Sequence, residues 1–182
     1  MRSVFKASRW SAAVLLGLLA TASSGATDAL PAARDAYQLR FYQLHTGERL
    51  DVVYRRGADY DPAALARVDH LLRDYRNGEV RAYDPRLLDV LHELMLSLGR
   101  PDGEIDVVCG YRTPHTNEYL RTHGHGVARQ SLHMQAMAID IRIPGVSTAD
   151  LRDAALRLGR GGVGYYPESD FVHVDVGRVR RW

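Results

Sequence analysis

The chain has 182 residues, with 24 Lys and Arg against 22 Asp and Glu and a formal net charge of +2. Its single cysteine, Cys109, excludes an intramolecular disulfide and a Cys-rich zinc site, so any metal would have to be held by histidine and carboxylate. No basic stripe or patch offers the electrostatic footprint that a nucleic-acid partner needs.

The first 26 residues read as a secretory leader. Arg2, Lys6 and Arg9 precede the apolar run "SAAVLLGLLA", and the small residues up to Ala22 or Ala26 suit cleavage. That run is shorter than the roughly 20 residues a spanning helix requires. Residues 27–182 are therefore expected as one exported periplasmic domain without a membrane span once the leader is removed, with an uncleaved N-terminal anchor as the alternative. No arginine pair precedes the apolar run, so an ordinary export signal fits better than a twin-arginine one. The leader carries three of the basic residues and no acid, so +2 minus 3 leaves −1 for the rest.

The next segment, "YQLRFYQLHTGERLDVVYRRG", reads as a β-hairpin turning at His45-Thr46-Gly47, where the glycine supplies positive φ. "DPAALARVDHLLRDYRNG" reads as a helix capped by Asp61, with Pro62 in its first turn, an apolar face of Leu65, Val68, Leu72 and Tyr75, and a stop at Asn77-Gly78. "DPRLLDVLHELMLSLG" repeats this grammar, with Asp84 as cap and Pro85 behind it. "EIDVVCGYRT" is a buried strand ending in a turn, with Cys109 as a small apolar filler. "TPHTNEYLRTHG" is a short helix or irregular turn. "MAIDIRI" alternates as a strand, and in "STADLRDAALRLG" Ser147 and Asp150 are spaced as a capping box. "GGVGYY" and "DFVHVDVG" close the chain as two strands. Helices and mainly antiparallel strands without a regular βαβ period make the class α+β.

Strand parity gives two of these segments chemical meaning. In "AMAIDIR" the side chains of Ala136, Ala138, Asp140 and Arg142 share one side, opposite Met137, Ile139 and Ile141. In "FVHVDV" Phe171, His173 and Asp175 face away from Val172, Val174 and Val176. Two strands of one sheet could therefore meet at a shared site, and a loop could fold His133 over Asp140. Two imidazoles, one carboxylate and an open position form a catalytic zinc shell; Mg²⁺ or Ca²⁺ would ask for mostly oxygen. The alternative is that Asp140 pairs with an arginine and the histidines are unrelated. His123 and His125 sit in a glycine-flanked loop, and His70 and His92 lie within helices.

"SLHMQAMAID" resembles the Ser-x-His-x-x-Gly-x-Ala-x-Asp motif of the zinc D-Ala-D-Ala peptidases, which share their fold with the hedgehog signalling domain. "LHTGE", "LLRDYRNGEV", "CGYRT", "GGVGYYP" and "FVHVDVG" look like the murein endopeptidase K branch of that group, in the same order along the chain. The resemblance implies a hedgehog/DD-peptidase-like sheet with flanking helices, and one Zn²⁺ held by His133, Asp140 and His173. Ala136 departs from the motif, which has glycine there. By family position Asp170, three residues before His173, would be the general base; by strand parity Asp175 is its competitor, or a partner that orients a histidine. Arg112 in "GYRT" would hold substrate or stabilise the oxyanion, while Ser131 braces the His133 loop.

The function so implied is zinc-dependent cleavage of peptide cross-links between peptidoglycan stem peptides, supporting wall growth. Its rivals are a carboxypeptidase trimming a terminal residue, which needs a closed cleft, and a zinc-stabilised wall-binding module without turnover.

Overall fold

The computed structural model describes Met1, residues 36–124 and residues 127–182. Beyond Met1, the expected leader lies outside these residues, as does His125. Among the described residues, no helix is long and apolar enough to cross a membrane.

The hairpin forms as expected. Strands β1 (Ala36–Gln43) and β2 (Arg49–Arg56) pair antiparallel around a turn in which Gly47 has φ 73°. A two-residue strand, β3 (Asp59–Tyr60), follows. Helix α1 (Pro62–Leu71) starts where Asp61 accepts hydrogen bonds from the Ala63 and Ala64 N–H groups. It ends earlier than the apolar pattern suggests, because tertiary bonds claim the next turn. The Leu72 carbonyl accepts from Tyr111 N–H at 2.7 Å, and buried Asp74 accepts from the N–H and hydroxyl of Thr113 at 2.9 and 3.1 Å. Residues beyond α1 thereby serve the turn at Tyr111–Thr113 rather than a helix.

Helix α2 (Arg86–Ser97) begins just past the expected cap, with the Asp84 carboxylate accepting from the Arg86 N–H and guanidinium. Strand β4 (Glu104–Cys109) leads to helix α3 (Pro114–His123), capped by Thr113, which resolves the helix-or-turn alternative. A single 3-10 turn (Leu132–Gln135) precedes β5 (Ala138–Arg142). Helix α4 (Thr148–Leu158) has the expected capping bond from Asp150 N–H to Ser147 Oγ. Strands β6 (Gly162–Tyr166), β7 (Phe171–Asp175) and the short β8 (Arg180–Arg181) complete the chain.

These strands form one sheet in the order β3-β2-β1-β4-β5-β7-β6-β8. Among the described residues its pairings are antiparallel except for β1 with β4 and β6 with β8, so the expected α+β class with a mainly antiparallel sheet holds. One sheet face carries Leu39, Phe41, Val52, Ile105, Val107, Ile139, Ile141, Val172 and Val174 into a core completed by α1, α2 and α4. Burying such side chains contributes on the order of 1.5–3 kcal/mol each. Side chains alternate across a strand, so Asp140 and His173 emerge on the face opposite this core.

Candidate metal centre

The β5–β7 ladder places the first two polar groups. Asp140 pairs directly with His173, and Ala138 with Asp175. Cross-strand partners share a face, which brings Asp140 Oδ1 to 2.9 Å from His173 Nδ1. The third group arrives from the 3-10 turn. Ser131 Oγ accepts from the His133 N–H at 3.3 Å and holds the turn, and His133 Nε2 stands 3.2 Å from Asp140 Oδ1 and 3.1 Å from His173 Nδ1. All three side chains are buried.

The outer ring nitrogens decide what the inner ones carry. His133 Nδ1 lies 2.7 Å from the Gly110 carbonyl, which can only accept, so Nδ1 holds the proton and Nε2 presents a lone pair. His173 Nε2 lies 3.0 Å from Asp175 Oδ2. That carboxylate also accepts from Arg180 and from the N–H groups of Gly162 and Gly177, so Nε2 is the donor and Nδ1 faces inward. Two imidazole lone pairs and a carboxylate oxygen thus converge on one point.

Such a set repels itself unless something positive lies between its members. Ligand atoms around a tetrahedral ion with bonds of about 2.0 Å stand about 3.3 Å apart, so the measured separations of 2.9 to 3.2 Å need only a slight opening. The residues fit a borderline divalent cation such as zinc, and the histidine–carboxylate pair His173–Asp175 supplies the orienting partner that metal-bound imidazoles use. Without the cation a proton serves instead. Burial disfavours a charged His173, but the bonds to Asp140 and Asp175 outweigh it and raise its pKa. Burial opposes ionisation of Asp140 as well, yet His133 and His173 hold its pKa well below the carboxylate range. His133, fully desolvated, is shifted the other way and stays neutral.

The remaining expected residues are placed as follows. Arg112 is buried; its N–H donates to the His133 carbonyl at 3.3 Å, Nη2 donates to Ser131 Oγ at 3.2 Å, and its Nε has no partner among the described residues. Ser131 therefore ties Arg112 to His133. Asp175 is fully buried with its oxygens occupied by His173, Arg180 and two backbone N–H groups. Asp170 adopts φ 50° in the turn before β7, bonds Thr148 with an exposed carboxylate, and has its carbonyl tied to Arg142. His123, expected in a loop, ends α3, where it stacks on Tyr119 and its Nδ1 lies 2.9 Å from the Tyr119 carbonyl.

Ala136 lies in the left-handed region, at φ 52° and ψ 42°, which accounts for the glycine in the motif. Its methyl is fully buried.

Several contributors escape a reading by residue type. Gly110 must be glycine because a Cβ would run into the Leu72 carbonyl, and its own carbonyl fixes the His133 tautomer. Gly162 leaves space for the Asp175 carboxylate; the signal available was the Gly161-Gly162 pair. The Trp182 ring lies 5.1 Å from that of His173, and its Nε1 donates to the Tyr166 hydroxyl at 2.8 Å. With Val127, Ala128, Gln130 and Arg180 these two aromatics line an open cavity of about 570 Å³ beside the centre. Cys109, expected as filler, has its sulfur within 4.8 Å of ligand atoms of His133 and Asp140. Burial pushes its thiol up to about 12, so it is neutral and a poor nucleophile.

Comparison with known proteins gives the family. The family model described as "Peptidase_M15_2: Peptidoglycan L,D-endopeptidase MepK" matches residues 31–182. A "Probable peptidoglycan L,D-endopeptidase MepK" of Haemophilus influenzae is 42% identical over 144 residues, covering 79% of this chain and 77% of the relative. The "Peptidoglycan L,D-endopeptidase MepK" of Escherichia coli K12 is 40% identical over 144 residues, covering 79% of each chain.

Proposed function

The chain belongs to the peptidoglycan L,D-endopeptidase MepK family of M15 peptidases, and from that premise we propose that it hydrolyses peptide cross-links between peptidoglycan stem peptides with one zinc ion. The L,D specificity in its relatives' names is proposed for this chain too. The observation that carries the reading is the convergence of His133 Nε2, Asp140 Oδ1 and His173 Nδ1 within 2.9 to 3.2 Å. Three protein ligands with an open position are the pattern of catalytic rather than structural zinc. When bound, zinc supplies polarisation of the scissile carbonyl and a water pKa near 7.

The chain's own residues do the positioning. Asp175 holds the proton on His173 Nε2, and the Gly110 carbonyl holds the one on His133 Nδ1, so both rings keep their inner lone pairs aimed at the centre. Arg112 is assigned to a substrate carboxylate or to the charge that develops on the scissile oxygen, for which a permanently charged fork is suited. Asp170 is assigned to the turn that starts β7 rather than to proton transfer. The endopeptidase is preferred to the carboxypeptidase because the relatives are named endopeptidases. We further propose that residues 1–26 direct export, which puts residues 27–182 in the periplasm with their substrate.

Cross-linked muropeptide dimers test this reading. The protein should convert them to monomers, and a chelator should stop the conversion without unfolding the domain. Loss of only a terminal residue would favour the carboxypeptidase, and no cleavage the binding module.

A further inference from the structure

The sulfur of Cys109 stands beside two of the three ligand atoms of the centre, those of His133 and Asp140. One atom each from Cys109, His133 and Asp140 lie within 4.8 Å of one another. The cause is in the backbone. Val107 pairs with Ile141 on the core face, yet Cys109 pairs with Asp140, so two steps along β4 match one along β5. The extra residue is a β-bulge, and it turns Cys109 out of the alternation that would have sent it into the core with Ile105 and Val107.

We propose that Cys109 is a fourth protein ligand for the cation held by His133, Asp140 and His173, giving the centre a sulfur-bound closed form and a sulfur-free open form. This rests on the three-residue centre proposed above. In the closing step the S–H bond breaks, its proton passes to solvent, and a sulfur lone pair forms the bond to the cation. A tetrahedral ion then has no position left for water or substrate. A sulfur donor also selects the ion, because thiolate favours zinc, cadmium and cobalt over magnesium or calcium.

Cobalt(II) titrated into the chelator-stripped protein separates the possibilities. Visible d–d bands report filling of the centre, and a near-ultraviolet sulfur-to-cobalt charge-transfer band reports Cys109. The proposal expects both at one equivalent, with the charge-transfer band lost in Cys109→Ser and Cys109→Ala. Cadmium binding by these variants should weaken by roughly 10- to 100-fold, the range that loss of one supporting group produces at a metal site. A wild-type spectrum with d–d bands alone overturns the sulfur ligand and leaves the three-residue centre standing. No cobalt uptake overturns both. Should the variants fail to fold, alkylation of the wild-type thiol decides: the cation must slow it, and an unchanged rate contradicts the proposal.

Discussion

Asp140 and His173 stand opposite each other on the β5–β7 ladder, with the carboxylate oxygen 2.9 Å from the ring nitrogen. Backbone pairing, and no long flexible side chain, sets that distance. A centre built this way is rigid before any cation arrives, which is the condition for precise chemistry.

Rigidity depends on Asp175 keeping His173 in one tautomer. Asp175→Asn is expected to weaken zinc binding by roughly 10- to 100-fold, measured by competition with a chromophoric chelator. Asp170→Asn should leave both metal affinity and turnover within about twofold, because an exposed ion pair contributes little. A large loss of turnover at Asp170 would return the general-base role to it.

Arg112 can be tested through rate rather than metal. Arg112→Ala should lower kcat/KM on muropeptide dimers by about 100-fold, the scale of losing one oxyanion-stabilising group. Arg112→Lys should recover only part of this, since an ammonium lacks the planar fork. Metal content should stay at the wild-type level in both.

Proton competition follows from His173. Its pKa is raised in the metal-free protein, and the cation needs the neutral ring. Below that raised pKa a proton occupies the nitrogen and apparent zinc affinity falls; above it affinity levels off. Calorimetric titration of Cys109→Ala, which leaves His173 as the proton source, in buffers of different ionisation enthalpy should therefore register proton release on zinc binding that grows as the pH falls through that raised pKa, toward about one proton per zinc.

Much of this site was legible in the residues. A period of two in "AMAIDIR" and "FVHVDV" puts Asp140, His173 and Asp175 on polar faces because strand geometry is local. Helix starts at Asp61 and Ser147 are readable for the same reason, as one side chain caps its own backbone. What escaped depends on distant partners. The end of α1 is set by Tyr111 and Thr113 some 40 residues on, and Cys109 turns toward the centre through a bulge that exists only against β5. What distinguishes Asp170 from Asp175, an exposed carboxylate bonded to Thr148 against a buried one bonded to His173 and Arg180, depends on partners that spacing along the chain does not give.

Ala136 offers a stability test of the motif's departure. Its left-handed conformation costs roughly 1–2 kcal/mol for an L-residue, while its buried methyl returns about 0.8 kcal/mol. These nearly cancel, so Ala136→Gly should change unfolding free energy by less than about 1 kcal/mol. Ala136→Val adds a β-branch to a strained, closed position and should cost about 3 kcal/mol or more. Denaturant unfolding measures both.

The account stands or falls on whether residues 133, 140 and 173 hold a single catalytic cation. Elemental analysis of the purified protein, run beside dimer digestion for wild type, His133→Ala and His173→Ala, is the direct measurement. One zinc per wild-type chain is expected, with metal and cleavage lost together in each folded variant. Undiminished cleavage by a folded, metal-free variant would contradict it.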